Sequence, residues 1–357
     1  MTPIYKIERG GIDITGRFND RCTAINVTLT AGAGSGDVLK ITLDDRDWAI
    51  AKPNVGEIID VYLGYVEAGL AKMGTFEISR VVFEWVPKSI SLEGSSIGFQ
   101  SAVKAPAIKT YADRTLGDVV RDIAKSAGVA ANISPELEGV KVPERNVTTS
   151  PLQLLTELEF EHGAVAKWGD GRLGFTVRDS GKSPAGESTP LVVLRPEHIA
   201  ELSIHTETRP SFSKARMSWF DQDEVVRKWV EAPAPRGANG SFPAFNIGRM
   251  ANSKEEAERI AKSQISYLTR NQSEGQITLS RGNPFVRDQS RILITETRDG
   301  IAGSYVADVV SHSYVKGSGL GTAMSIRSDG DASDFTPELE GSETELTGPG
   351  TLPGMPR

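Results

Sequence analysis

Short runs of alternating apolar and polar residues lie on both sides of one compact helical stretch. That arrangement limits what this chain can fold into more than any other feature. Ile25, Val27 and Leu29 alternate with polar neighbours, as do Leu39, Ile41 and Leu43, and then Ile59, Val61, Leu63 and Tyr65. Further runs cover 75–85 and 89–93. A two-residue period puts each apolar set on one face of a strand. Gly32-Ala33-Gly34-Ser35-Gly36, Pro53-Asn54-Val55-Gly56 and Ala68-Gly69 separate the runs as turns. Many short strands with such punctuation predict a barrel or sandwich over residues 1–108.

The same pattern returns over 187–327, with strands expected at 191–194, 199–206, 215–220, 224–230, 276–280, 291–297, 304–310 and 322–327. One helix interrupts it. Ser253 with Glu256 forms a capping box, and Ala257, Ile260, Ala261, Ile265 and Leu268 recur at helical spacing. The Gly- and Pro-rich stretch 232–248 reads as a long loop. The two β regions also echo each other. Pro53-x-Val55-Gly56 leads to Gly74-Thr75-Phe76, and Pro284-x-Val286-Arg287-Asp288 leads to Gly303-Ser304-Tyr305. The echo alone fits either a duplicated unit or two similar strand-entry turns.

Residues 109–186 form a small α+β unit. Its first helix is TLGDVVRDIAKSAG, capped by Thr115 with Asp118 and stopped by Gly128. Its second is SPLQLLTELEFEHG, with Ser150 as cap, Pro151 in the first turn, Gln153 completing the capping box and Gly163 at the end. AVAKWGDGRLGFTV then reads as a hairpin around Gly169-Asp170-Gly171. A helix–helix–hairpin unit buries little core alone and must pack on its neighbours. Residues 178–190 lose all periodicity and read as a linker.

Composition removes several function classes. With 357 residues, 38% hydrophobic and 24% charged, the chain suits two or three folded domains. No apolar run approaches the roughly 20 residues of a membrane helix, and MTPIYKIERGG lacks a signal-peptide core. A single cysteine, Cys22, excludes an internal disulfide or a cysteine-ligated metal cluster. The expectation is folding in a reducing cytoplasm. A net charge of −7 disfavours a surface that holds nucleic acid. It does not exclude a channel through which DNA passes, since acidic walls repel phosphate. Residues 328–357 are acidic and rich in Gly, Pro and Thr, too poor in apolar residues to fold alone. Phe335, Leu339, Leu346, Leu352 and Met355 are the expected anchors of this tail on a partner, the alternative being a tail pinned on its own domain.

Catalytic motifs do not assemble. Gly94-Ser95-Ser96-Ile97-Gly98 matches G-x-S-x-G, but Pro106 follows too soon for the helix such an elbow needs. His162, His198, His205 and His312 sit in or beside regular elements, none marked as a base. The glycines at 32, 34 and 36 run into a strand, where a dinucleotide fingerprint runs into a helix. Asp44, Asp45 and Asp47, or Asp329, Asp331 and Asp334, lack the glycine of a calcium loop. Glu157, Glu159 and Glu161 lie two apart on a helix and point in different directions. Trp219, Phe220 and Trp229 offer a sugar platform on paper, and buried strand positions account for them better. No catalytic, cofactor-binding or metal-binding residue is assigned.

The middle unit carries a specific likeness. A Leu-Gly-Asp helix, then Ser150-Pro151-Leu152-Gln153-Leu154-Leu155, then Glu157 through Glu161-His162-Gly163-Ala164, then Gly169-Asp170-Gly171-Arg172-Leu173, resembles the phage late control D family. These are baseplate hub proteins of contractile tails, similar to the hub part of type VI secretion spike proteins. Leu39 through Arg46, Gly56-Glu57, Met73 through Ile78 and Lys104-Ala105-Pro106 resemble its first domain, and 253–268 with 303–313 its last. The resemblance implies a mainly β fold with an α+β insertion: two tail-tube-like β-barrels, 1–108 and 187–327, flanking the helix–helix–hairpin domain. It implies a homotrimeric structural adaptor between a sixfold tail tube and a threefold spike, around a central channel. Its partners would be the tail tube or a tube-initiator protein, the spike, baseplate wedge proteins and a tape-measure protein. DNA would pass through without specific binding, and the chain would have no membrane anchor. The place would be the virion baseplate, after assembly in the host cytoplasm. The competing classes are a tail-associated cell-wall hydrolase and a carbohydrate-binding module.

Overall fold

A computed structural model describes residues 1–328 except 33, 35, 97–101, 182–188, 190, 207–211, 223, 235–241 and 271–272. The first β region holds β1 (Pro3–Arg9), β2 (Ile12–Asp13), β3 (Cys22–Thr30), β4 (Val38–Asp44), β5 (Ile58–Tyr65), β6 (Gly69–Glu84) and β7 (Ser89–Ser95). The middle unit holds β8 (Lys109–Tyr111), β9 (Arg114–Thr115), α1 (Leu116–Ser126), β10 (Ala130–Ile133), α2 (Pro135–Glu138), β11 (Lys141–Val142), β12 (Arg145–Val147), α3 (Pro151–His162), β13 (Ala164–Gly169) and β14 (Arg172–Val177). The last region holds β15 (Leu191–Leu194), β16 (Ile199–Thr206), β17 (Lys214–Asp221), β18 (Val226–Pro233), β19 (Ala244–Ala251), α4 (Lys254–Arg270), β20 (Ser273–Leu279), β21 (Arg291–Ile294), β22 (Gly303–Val315) and β23 (Gly319–Ser328). No described helix is long and apolar enough to cross a membrane.

The fold is mainly β, as the alternation predicts. The two β regions are not separate bodies, however. One 13-stranded sheet runs β16-β20-β23-β22-β3-β4-β7-β6-β5-β1-β2, with β21 and β15 branching from β22. Among the described residues this ladder does not close on itself, so the separate closed barrels expected from sequence are not seen. One apolar cluster spans both halves, from Ile7 and Ile41 to Ile292 and Ile326. Period-two strands explain the shared core. Val27, Leu39 and Ile277 point inward at 0%, 0% and 1% exposure, and each fully buried aliphatic contributes about 1.5–3 kcal/mol.

Each half follows the same path. In the first the neighbours run β1-β5-β6-β7-β4-β3, and in the second β15-β21-β22-β23-β20-β16. Even the irregularities repeat. A bulge between Ile78 and Arg80 of β6 recurs between Ala307 and Val309 of β22. A bulge between Cys22 and Ala24 of β3 recurs between Ile199 and Glu201 of β16. Gly74 pairs Val61 as Gly303 pairs Ile294, at the places marked by the sequence echo. One strand departs: β1 is antiparallel to β5, whereas β15 is parallel to β21.

The middle unit has its own apolar cluster, built on Leu116, Val120, Ile123, Leu154, Leu158 and Phe175. Thr115 and Asp118 form the expected capping box on α1. On α3 the Ser150 side chain accepts from the Gln153 N–H, and Gly163 ends the helix in the left-handed conformation. Asp170 and Gly171 take positive φ in the β13–β14 turn, the hairpin geometry that pair favours. Sequence reading missed β10, which joins β14 in parallel. It also took 244–248 as loop, although β19 pairs in parallel with β17. The small sheet β18-β17-β19 packs on α4 through Met217, Ile260 and Ile265.

Candidate functional site: a seam, an open face and a clamp

The seam between the halves is a backbone ladder. β22 pairs antiparallel with β3, from Val309↔Thr30 to Val315↔Ala24. Main-chain pairing fixes two strands far apart in sequence without special side chains. The Thr28 and Ser311 hydroxyls meet across it at 3.3 Å. On the inward side His312 is 1% exposed, with Nδ1 2.9 Å from Thr322 Oγ1 and Nε2 3.0 Å from the Val286 carbonyl oxygen. A carbonyl only accepts, so Nε2 carries the proton and Nδ1 accepts from the Thr322 hydroxyl. Burial and then the nearby Arg287 lower the His312 pKa to about 4, so the ring is neutral.

The outward side of the same strands is polar. Asn26 and Thr28 on β3, Lys40 and Thr42 on β4, Ser311 and Ser313 on β22, and Gln276 and Thr278 on β20 are all half-buried or exposed. Short hydroxyl and amide groups leave this face with little apolar surface.

Three ion clusters fasten the middle unit to both halves. Lys167 on β13 reaches Asp37 at 2.5 Å and Asp288 at 3.0 Å, one from each half. Burial pushes the Asp37 carboxyl up, against the pull of Lys167. A cleft of about 280 Å³ opens beside this cluster, between Lys72, Asp170 and Arg287. Arg327 on β23 grips Asp179 with two bonds and touches Asp308. Glu161 on α3 lies between Arg145 and Arg249, each 2.8 Å away. Burial pushes its carboxyl up, but the two guanidiniums outweigh it and hold it below the ordinary range. Glu159, the neighbour two residues back, accepts the Ala166 N–H. Sequence reading had dismissed these glutamates as a catalytic pair but missed them as braces, because their partners lie far away in the chain.

Among the described residues no group of three or more His, Cys, Asp or Glu side chains is placed to hold a metal. Ser95 sits in strand register with Glu77 and Val38, and the Ser96 hydroxyl accepts the Asp37 N–H. Ile97 and Gly98 lie outside the described residues. His162 is buried with neither ring nitrogen hydrogen-bonded, and burial, then Arg259, lowers its pKa to about 4. Cys22 is buried and its thiol is pushed up by burial to about 11, which makes it unreactive.

Two readings of the sequence need comment. Trp219 is only half-buried, packed against the α4 cluster, and Phe220 and Trp229 are 37% and 51% exposed, which overturns core burial for the last two. Only one face of their sheet is covered by α4, and Trp229 turns to the other, with the Arg227 guanidinium 4.7 Å from its ring. Phe335, Leu339, Leu346, Leu352 and Met355 lie outside the described residues.

Comparison with known proteins agrees with this architecture. No protein-family model matches the chain. The chain is 23% identical over 363 residues to the "Probable baseplate hub protein" of Escherichia phage P2, covering 91% of this chain and 93% of the relative. It is 26% identical to the protein of the same description from Escherichia phage 186, covering 79% and 82%. Among solved structures, the 43 kDa tail protein of prophage MuSo2 from Shewanella oneidensis superposes with a TM-score of 0.67 at 13% identity, covering 91% of this chain and 98% of that one. A tail protein of Neisseria meningitidis gives 0.65 at 14% identity, covering 92% and 98%. The Francisella PdpA-VgrG complex gives 0.57 at 12% identity, covering 97% of this chain and 60% of that one. Sequence and fold agree with the likeness read from the residues: over most of its length this chain is similar to the probable baseplate hub proteins of phages P2 and 186.

Proposed function

We propose that the chain is the structural baseplate hub of a phage tail or phage-like contractile particle, and not an enzyme. The observation that carries this is the repeated strand path joined into one sheet, in a chain whose curated relatives are described as hubs. Two equivalent tube-like units per chain (1–108 and 187–327) in a homotrimer present six similar units around a channel. Such a ring meets a sixfold tail tube on one side and a threefold spike on the other. The barrels expected from sequence complete themselves through neighbouring copies. The polar face of Ser, Thr and Asn lines the channel, so that DNA and a tape-measure protein pass without sticking. The middle unit, 109–186, faces the periphery, where wedge proteins dock. The acidic tail, 328–357, binds the spike through Phe335, Leu339, Leu346, Leu352 and Met355.

Tail particles carrying a labelled copy of the chain provide the test. Imaging should place the label at the junction of tube and spike, three per particle. A label spread along the tube, or clear peptidoglycan lysis by the purified chain, would sink the reading. A chain ending at Ser328 should keep its melting temperature and lose the spike, because β23 ends there. Unchanged spike content in particles built with that chain would remove the role given to the tail.

A further inference from the structure

Helices α3 and α4 meet where the middle unit joins the last region, and the groove along them carries two features that the fold leaves unused. The first is apolar. Phe160 on α3 and Tyr267 on α4 stand edge to face with ring centroids 6.0 Å apart, yet they are 50% and 51% exposed. Beside them the Ser263 hydroxyl donates to the Phe160 carbonyl at 2.8 Å. The second is cationic. Arg259 is half-buried and lies one turn of α4 from Ser263, on the side away from Tyr267. Among the described residues it touches no carboxylate, and its buried Nε–H has no acceptor. The nearby acids are already engaged. Glu161 is held by Arg145 and Arg249, and Glu256 by the Asn252 N–H at 2.9 Å and Arg249 at 3.7 Å. His162, near Arg259 and 7% exposed, has both ring nitrogens unpartnered as well. The groove thus lacks an acceptor at one end and an apolar cover at the other.

This chain holds a segment of that chemistry. Residues 329–357 carry seven Asp and Glu against one Arg, and Leu339 and Leu346 are flanked by Glu338, Glu340 and Glu345. The segment also starts close by, because β23 ends at Ser328. Its neighbour Arg327 bonds Asp179 at 2.6 Å, the Arg178 N–H donates to the Gly163 carbonyl at 2.9 Å, and a Cβ on Gly163 would stand 3.3 Å from the Ser263 hydroxyl. That run of contacts bounds the distance from Ser328 to Ser263 at roughly 30 Å, which about ten extended residues cross. Leu339 lies eleven residues beyond Ser328. Arg259 and Tyr267 are two turns apart on α4, about 12 Å. Four extended residues span about 13 Å, so Leu339 over the aromatic pair brings Glu343 to Arg259.

We propose that the acidic tail docks in the α3–α4 groove of its own chain, with Leu339 covering Phe160 and Tyr267 and the Glu343 carboxylate accepting from Arg259. A charge-assisted bond at a half-buried site is stronger than one on open surface. The apolar contact fixes a register that charge alone leaves free. The short tether keeps the tail at high local concentration, so a modest contact is enough. Docking shields the leucines in the free chain. Where the tail also binds the spike, as proposed for the hub, the two contacts share residues and exclude each other, so the tail leaves the groove when the spike joins. Only that last step rests on the hub reading.

The full-length chain carrying Leu339→Cys and Tyr267→Cys, oxidised with diamide, tests the docking. A disulfide within one chain is expected, with buried Cys22 outside the reaction. Glu258→Cys, on the opposite side of α4 from Tyr267, should not link to Leu339→Cys. A glutamate-specific protease should cut after Glu340 and Glu343 several-fold more slowly in the wild-type chain than in Arg259→Gln, at an unchanged melting temperature, with Arg259→Lys in between. Absence of the link, a link only between two chains, equal linking from position 258, or cleavage unmoved by Arg259→Gln overturns the docking. Particles built with the disulfide-locked chain separate the two readings. Spike carried by the locked chain removes the tail's role at the spike and leaves the docking in place. No link in the free chain, with spike lost from a chain ending at Ser328, removes the docking and leaves the spike role in place.

Discussion

His312 and His162 show how much a single buried side chain contributes to this fold. Both rings are held neutral by burial, with pKa values lowered to about 4 from an ordinary value of 6.5. In the unfolded chain they take up protons near pH 6.5, in the folded chain only near pH 4, so the unfolded state binds more protons in between. Stability is therefore complete above pH 6.5 and falls progressively as the pH drops from there through 4. Urea midpoints at pH 7 and pH 5 should show this loss, and His312→Gln should show a smaller one, with His162 still contributing. The sequence named both histidines and gave them no catalytic role. It could not show their burial, because the Val286 carbonyl and Thr322 that enclose His312 come from other elements. Phe220 and Trp229 failed for the complementary reason. Strand alternation says that two faces differ, not which face a helix covers.

At the scale of elements, local signals read well and pairing did not. The Thr115–Asp118 box, the Gly163 cap and the Asp170-Gly171 turn are fixed by neighbours within a few residues, and sequence reading found each. The parallel partners β10–β14 and β17–β19 depend on crossovers, which leave no local trace. Neither do the ion clusters that fix the middle unit. Lys167→Met should test the strongest, because it strands Asp37 and Asp288, whose side chains are only 5% and 8% exposed. The expected cost is roughly 2–4 kcal/mol, less than for a fully buried pair because Lys167 keeps some solvent contact. Guanidinium midpoints would measure it. Adding Asp37→Asn and Asp288→Asn to the same chain should restore part of the loss.

For the whole molecule, the alternating runs announced two β regions and the motif echo marked equivalent points in them. What they could not announce is that the regions share one sheet and one core. This leads to a prediction about fragments. Residues 1–108 alone would expose β3 along its outer edge and uncover Ile25 and Val27, both 0% exposed in the intact chain. Such a fragment should aggregate. Co-expression with residues 187–328 should restore solubility, and a soluble monomeric 1–108 fragment would argue that each half folds by itself.

The β3–β22 seam has a further consequence for how such proteins diverge. A joint made of amide groups does not depend on which residues it runs through, provided the period of two persists and nothing removes a donor. Substitutions can accumulate along it while the geometry is inherited intact. Proteins built this way are expected to drift far apart in letters yet remain interchangeable in outline, as the Shewanella tail protein does at 13% identity.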